Sequence, residues 1–383
     1  MRTRMCENPN DISEIVKDYD RVALVFQGGG ALGAYQAGVY EALSIAGAEP
    51  NWISGVSIGA INSAIIAGNT PENRIPRLRE FWETVSGRKI WPFTPDGDVF
   101  RALRNQMSAM VTMNLGQPGF FKPRFPNPWL LPTGSANATS LYDTEPLRET
   151  LLKLVDFDLI NNGSKRFSVG AANVRTGNFI YFDNTTHRIG PEHVMASGAL
   201  PPAFPPVRID GEYYWDGGVV SNTPLQWLLD QPDHPGALVF QVDLFSARGD
   251  LPRDMFQVIE RQKDIVYSSR TRYTTDLFRR VQLLRSRHAE AVLRIPEQLR
   301  TEEDLQVISD YEKSGAVNIC HLIYQEKDYE RDFKDYEFSG TSMRDHWASG
   351  FEDTVKTLRH PQWLVKPDKS KAIVVHDVHR IDD

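Results

Sequence analysis

The pentapeptide Gly55-Val56-Ser57-Ile58-Gly59 sets a serine between two glycines, where the apolar run Trp52 to Val56 gives way to the helical stretch Ile58 to Ala67. A sharp strand-to-helix turn exposes a serine Oγ above a sheet, and flanking glycines leave room for the neighbouring chain. That is the setting of a nucleophile; the bland alternative is a serine N-cap with incidental glycines. A serine hydroxyl also needs a base to take its proton. The usual order behind such an elbow is Ser, then Asp or Glu, then His. The downstream histidines are His187, His193, His234, His288, His321, His346, His360, His376 and His379, and none lies in a segment marked by glycine turns or strand ends. Asp216 stands out instead, following Tyr213-Tyr-Trp215 and opening Asp216-Gly217-Gly218. Read in isolation, an Asp-Gly turn is the simpler account of it.

A second glycine-rich segment lies upstream. Gly28-Gly29-Gly30-Ala31-Leu32-Gly33 matches G-x-G-x-x-G after an apolar strand, Val22 to Phe26, and before a helix. A dinucleotide site requires an acidic residue at the end of the second strand. That strand ends at Val56-Ser57 and Glu49 lies before it, so an NAD(P)-binding oxidoreductase lacks its second anchor. The same unobstructed amides, in the positive field of a helix N-terminus, suit a tetrahedral oxyanion as readily as a phosphate. A turn that only lets helix and sheet pack closely is the structural alternative.

These pieces together resemble the patatin-like phospholipase family. The resemblance rests on Gln27 to Gly33, Gly55 to Gly59, Asp216-Gly217-Gly218 and the run Ala196-Ser-Gly-Ala-Leu-Pro-Pro-Ala-Phe-Pro-Pro206, and spans about residues 20–245. It implies a three-layer α/β/α fold with a mostly parallel central sheet, and a serine acyl hydrolase acting on carboxylic esters of lipids. Carried over by position, Ser57 is the nucleophile, Asp216 the base, and Gly28, Gly29 and Gly30 the oxyanion-hole amides, with no catalytic histidine, metal or organic cofactor. A catalytically idle lipid-binding module is the remaining alternative. The family often has Arg or Lys where this chain has Leu32, which removes a positive charge beside the glycine loop. Lys334 to Ser339 and Met343 to Trp347 resemble a C-terminal extension of some bacterial members, expected to act as a helical buttress.

Around these motifs the chain alternates strand, glycine loop, helix, strand and helix, the grammar of an open α/β sheet. Residues 1–20 are expected as a polar lead-in, 21–245 as the catalytic domain, 246–366 as a largely helical extension and 367–383 as a tail. Within the catalytic domain, 91–142 reads as an insertion rich in proline and aromatics, including Trp91, Phe93, Phe120, Phe121, Phe125 and Trp129. Met107, Met110 and Met113 predict a short helix inside it, and its aromatics a lid or acyl-chain wall, or core packing beneath the insertion. Strands are expected at 167–173, 179–182, 207–209, 212–215, 237–245 and 317–324. Asp210-Gly211 marks a hairpin. Helices are expected at 191–199 and 342–358, with one long helix or two over 253–294.

Composition bounds the rest. The chain has 383 residues, 41% apolar and 24% charged, typical of a globular protein with a sizeable core. A net charge of −7 argues against a dedicated nucleic-acid partner. Cys6 and Cys320 form no metal-ligand spacing, and with no apolar leader or membrane span a cytoplasmic protein is expected. Residues 253–294 carry ten basic and five acidic side chains. A basic helical face attracts anionic lipid, so peripheral contact with a lipid surface is expected beside the more ordinary reading of a solvated face paired with acidic neighbours.

Overall fold

A computed structural model describes residues 9–87, 98–231, 236–327, 330 and 334–380. Cys6, Trp91, Phe93 and His234 lie outside the described residues. The described chain is organised on a nine-stranded sheet: β1 Arg21–Phe26, β2 Trp52–Gly55, β3 Arg166–Asn173, β4 Phe179–Asp183, β5 Val207–Ile209, β6 Glu212–Asp216, β7 Ala237–Asp243, β8 Val317–Ile323 and β9 Ile373–Asp377. Their order is β9-β8-β7-β1-β2-β3-β6-β5, with β4 also paired to β3. From β9 to β3 every neighbouring pair is parallel, and the remaining pairings are antiparallel.

Side chains alternate across a strand, and β1 is buried along nearly its whole length. Val22, Leu24 and Phe26 join one hydrophobic core, while Ala23 and Val25 join another. The first core takes in helices Ala34–Ile45, Ile58–Ala67, Pro71–Ser86 and Gly340–Leu358; the second is closed by Leu225, Leu228, Leu229 and Phe278. Two cores on opposite faces of one parallel sheet make three layers, α/β/α.

The expected division of the chain needs correction at both ends. Residues 9–20 are tied down: Ile12 and Tyr19 are buried, and the Tyr19 hydroxyl donates to the Leu364 carbonyl at 2.9 Å. Residues 367–383 are not simply a tail, because β9 pairs along β8. The region after 245, expected as a largely helical buttress, also joins the sheet. It supplies two sheet strands and the long helix Gly340–Leu358, which packs on the helix after the glycine loop. Short apolar runs amid charged residues, such as Ile373-Val-Val375, have too little periodicity to announce an edge strand. The region 253–294 forms two helices, Met255–Tyr267 and Thr271–Leu293, and the insertion holds a helix, Asp98–Leu115, longer than its methionine spacing predicts.

One detail of the sheet positions the site. On one edge of β3, residues 166–169 pair with β2 and residues 171–173 with β6, while β4 occupies the opposite edge. β2 is parallel to β3 and β6 antiparallel, so their C-terminal ends run toward each other and stop on either side of Gly170. Ser57 follows the first of these ends, and Asp216 closes the second.

Candidate active site

Ser57 occupies the turn between β2 and the helix Ile58–Ala67 at φ 56°, ψ −124°. A non-glycine residue with positive φ is uncommon, and such strain concentrates where geometry serves chemistry. Surroundings hold it there. The Ser57 N–H donates to both Oγ and O of Ser197, each at 3.1 Å, and the Ser197 hydroxyl donates to the Gly170 carbonyl at 2.6 Å. Gly59 lets the helix start directly against β1, since a Cβ there would meet the Phe26 carbonyl.

Asp216 is almost wholly buried, at 1% exposure. Its carboxylate accepts a hydrogen bond from the Gly218 N–H at 2.7 Å and shares the cavity with Ser57, and its own N–H donates to the Ala199 carbonyl at 3.0 Å. Burial penalises the charged carboxylate more than hydrogen bonding favours it, so its pKa rises to about 7. The segment Ala196 to Pro206 thus holds both members of the pair, Ser57 through Ser197 and Asp216 through Ala199.

The glycine loop lies against this pair. The N–H of Gly28 is engaged by the Asn222 carbonyl at 3.2 Å, while the Asn222 Nδ2 donates to the carbonyls of Gly28 and Tyr267, each at 3.0 Å. Among the described residues, the amides of Gly29 and Gly30 have no such partner. Gln27 is fully occupied beneath the loop: Nε2 donates to Thr223 and Tyr267, and Oε1 accepts from the amides of Leu244 and Phe245.

The far end of the loop is clamped by the C-terminal region. The Ala31 N–H donates to the Asp335 carbonyl at 2.9 Å, and His346 Nδ1 lies 3.4 Å from the Ala31 carbonyl. His346 Nε2 in turn lies 2.7 Å from Glu330, which also accepts from the Tyr324 hydroxyl at 2.6 Å. Burial alone would raise the Glu330 pKa; the hydrogen bond and charge of His346, with the Tyr324 hydroxyl, outweigh it and hold the carboxyl at about 2. Gly30 sits at φ +54°, in the left-handed region, with the Asp335 carbonyl where a Cβ would stand.

Ser57, Asp216 and all three loop glycines line one cavity, whose walls are otherwise largely apolar. Ile58 and Ile61 come from the helix behind Ser57, Phe120 and Phe121 from the insertion, Phe204 from the proline-rich segment and Phe338 from the C-terminal region. The rings of Phe120 and Phe121 pack on Phe204 at 5.9 and 5.2 Å between centroids, and Phe120 on Phe338 at 5.9 Å. Such a wall matches an acyl chain. Phe125 and Trp129, by contrast, are 98% and 85% exposed. Among the described residues no histidine lines the cavity; Lys263, ion-paired with Asp335, is its cation.

Residues to which the sequence assigned no role thus support the site: Ser197, Ala199, Asn222, Asp335 and His346. Ser197 and Ala199 fall inside a run already recognised by resemblance, and their roles follow from pairings that only the folded sheet brings about. Nothing near Asn222 or His346 signals a contact with a loop some 200 or 300 positions away. Glu49, the acidic residue nearest to the dinucleotide pattern, pairs with Arg74 at 2.5 Å and Lys165 at 3.3 Å before the start of β2. The strands are parallel, so it sits at the end of the sheet opposite to the glycine loop.

A strained serine at a strand–helix elbow thus stands in one largely apolar cavity with a buried aspartate, on a mostly parallel three-layer sheet. Residues 24–229 match the patatin-like phospholipase family, and residues 265–370 match a second family described as patatin phospholipase. The first match covers more than half of the chain, which therefore belongs to the patatin-like phospholipases and is a lipid ester hydrolase. Among solved structures, VipD from Legionella pneumophila is similar at 15% identity and a TM-score of 0.38, over 89% of this chain and 67% of that one. No curated protein matches the chain by sequence. Among the described residues no helix is long and apolar enough to cross a membrane.

Proposed function

We propose that the protein cleaves lipid carboxylic esters by a Ser57–Asp216 dyad, with an acyl-enzyme on Ser57 and the amides of Gly29 and Gly30 as oxyanion donors. The observation that carries this reading is that Ser57, at a strained strand–helix elbow, and the buried Asp216, whose carboxyl burial pushes up to about 7, line one cavity. An ordinary aspartate, with a pKa near 3.9, is too weak a base for serine at neutral pH. Desolvation supplies the missing basicity here.

In the first half-reaction Ser57 Oγ attacks the ester carbonyl carbon as Asp216 takes its proton, and the carbonyl oxygen becomes an alkoxide facing the Gly29 and Gly30 amides. The tetrahedral adduct collapses, the C–O bond to the alcohol breaks, and Asp216 returns the proton to the departing oxygen. Water then attacks the acyl-enzyme with Asp216 again accepting the proton. The second collapse releases the fatty acid and restores the serine hydroxyl. One oxyanion donor is worth about 10²–10³ in rate, so the loop matters beside the dyad. Gly28, whose amide is already held by Asn222, acts by fixing the loop.

The experiment is turnover of a soluble short-chain ester by Ser57→Ala and Asp216→Asn, with folding checked by melting. Both variants are expected to fold and to lose turnover. Retention of turnover in either one removes that residue from the proposed chemistry.

A further inference from the structure

The helix Met255–Tyr267 has its polar face inward. Asp264 and Glu260 lie 2.8 and 3.6 Å from the buried Nζ of Lys334, and Lys263 and Tyr267 reach the cavity. Its outer face is largely apolar: Met255, Val258, Ile259, Ile265 and Val266 recur at helical spacing around Gln262 and are all exposed, Met255 at 70% and Val266 at 62%. A surface helix of a globular protein ordinarily has the reverse arrangement, and a contiguous exposed apolar patch marks a surface that meets something. The next helix also exposes apolar side chains, Tyr273, Leu277 and Leu284, at one-turn and two-turn intervals.

We propose that this face seats the protein on an anionic lipid surface. The inference rests on the lipid-ester activity of the family and is independent of the chemistry assigned to Ser57 and Asp216. Charge selects the occupant. Arg253, Arg270 and Arg272 are exposed around the strip, and the acidic neighbour Asp254 is engaged as the N-cap, accepting from the Gln257 N–H at 2.9 Å. The stretch 253–294 has twice as many basic as acidic residues in a chain of net charge −7. A two-fold pairing of this face with itself would set basic rim against basic rim, whereas an anionic leaflet complements both the apolar strip and the rim. The position fits the use. Lys263 and Tyr267, on the inward face of the same helix, line the cavity that holds Ser57, so the proposed docking face and the site share one helix.

The test is co-sedimentation of the full chain, carrying Ser57→Ala to spare the lipid, with phosphatidylcholine vesicles with and without phosphatidylglycerol. Binding is expected only to the anionic vesicles and is expected to weaken with salt. Adding Val258→Asp with Ile265→Asp is expected to lower partitioning about tenfold or more. In the chain with Ser57 intact, that pair slows hydrolysis of vesicle lipid by a similar factor and leaves turnover of a soluble short-chain ester unchanged. Arg253→Glu with Arg272→Glu, a pair that leaves the apolar strip in place, is expected to weaken anionic binding as well. Equal partitioning of parent and both variants, or no partitioning of the parent, overturns the proposal. So does a parent dimer that Val258→Asp with Ile265→Asp dissociates, since it assigns the face to a second copy. Partitioning that persists while Ser57→Ala retains turnover counts against the dyad alone.

Discussion

The backbone N–H of Ser57 is shared between the hydroxyl and the carbonyl of Ser197, each at 3.1 Å, so the nucleophile's strained turn is held from a segment 140 residues away. The same hydroxyl donates to Gly170, the residue toward which β2 and β6 converge. Ser197→Ala removes one acceptor from Ser57 and the donor from a buried carbonyl. Leaving a buried polar group unpaired costs about 1–3 kcal/mol, and displacing a reacting atom costs up to about a hundredfold in rate. The expected outcome is a lower melting temperature and a lower kcat with little change in KM, read by thermal melts and soluble-ester kinetics.

The pH dependence follows from Asp216. A general base acts in its deprotonated form, so kcat/KM is expected to rise with pH and level off above a midpoint near pH 7, set by the raised carboxyl pKa. Stability runs the other way. A carboxyl whose folded pKa lies above its unfolded value of 3.8 favours folding fully below pH 3.8, and that contribution is lost as pH rises through about 7. Asp216→Asn carries no buried charge. At alkaline pH it is therefore expected to melt no lower than the parent while showing no turnover, which melts at several pH values check.

Glu330 gives the opposite sign. Its folded pKa of about 2 lies below the unfolded 4.5, so its contribution is present above pH 4.5 and is lost as pH falls toward 2. Glu330→Gln weakens the hold on His346 and, through it, on the Ala31 carbonyl beside the glycine loop. The variant is expected to lose less stability than the parent between pH 4.5 and 2, and to lower kcat more than KM at neutral pH. A neutral-pH kcat equal to the parent's would reduce the clamp to a purely structural feature.

Phe120 and Phe121 form part of the cavity wall and are nearly buried, at 7% and 4% exposure. Replacing both with alanine enlarges the cavity and costs several kcal/mol if folding tolerates it, each buried Phe→Ala being worth about 3–5 kcal/mol. The expected functional result is a shift of acyl-length preference toward longer chains. Unchanged preference with lowered stability would assign the two rings to core packing alone. The check is a series of soluble esters of increasing acyl length.

Much of the central architecture was legible in the sequence because its signals are local. The glycines around Ser57, the apolar runs of β1 and β7, and the Asp210-Gly211 turn, whose residues have φ of 48° and 88°, act within a few positions of themselves. The convergence of β2 and β6 on Gly170 is a product of strand order and direction, which no short window contains. The same holds for the clamp on Ala31: Asp335 acts there through its backbone carbonyl, for which side-chain identity carries no signal. Of the two C-terminal strands, β8 was expected from its apolar run although polar residues interrupt it, and β9 was missed because Ile373-Val-Val375 is too short a run to announce a strand. Asn318 and His321 interrupt the apolar pattern of β8, and both are buried because they find polar partners, Tyr19 and Asp243, on other elements. The outward apolar strip on Met255–Tyr267 was hidden by its charges, since periodicity reports a two-faced helix without saying which face turns inward.

The central claim, a two-residue mechanism, is tested most directly by turnover of one soluble short-chain ester across Ser57→Ala, Asp216→Asn and single alanine variants of all nine histidines, each checked for folding. Ser57→Ala and Asp216→Asn are expected to fall by about 10³-fold or more, and every histidine variant is expected to keep most of the parent's activity. A folded histidine variant as inactive as Ser57→Ala would contradict the account, replacing the dyad with a triad and leaving Asp216 to orient the base.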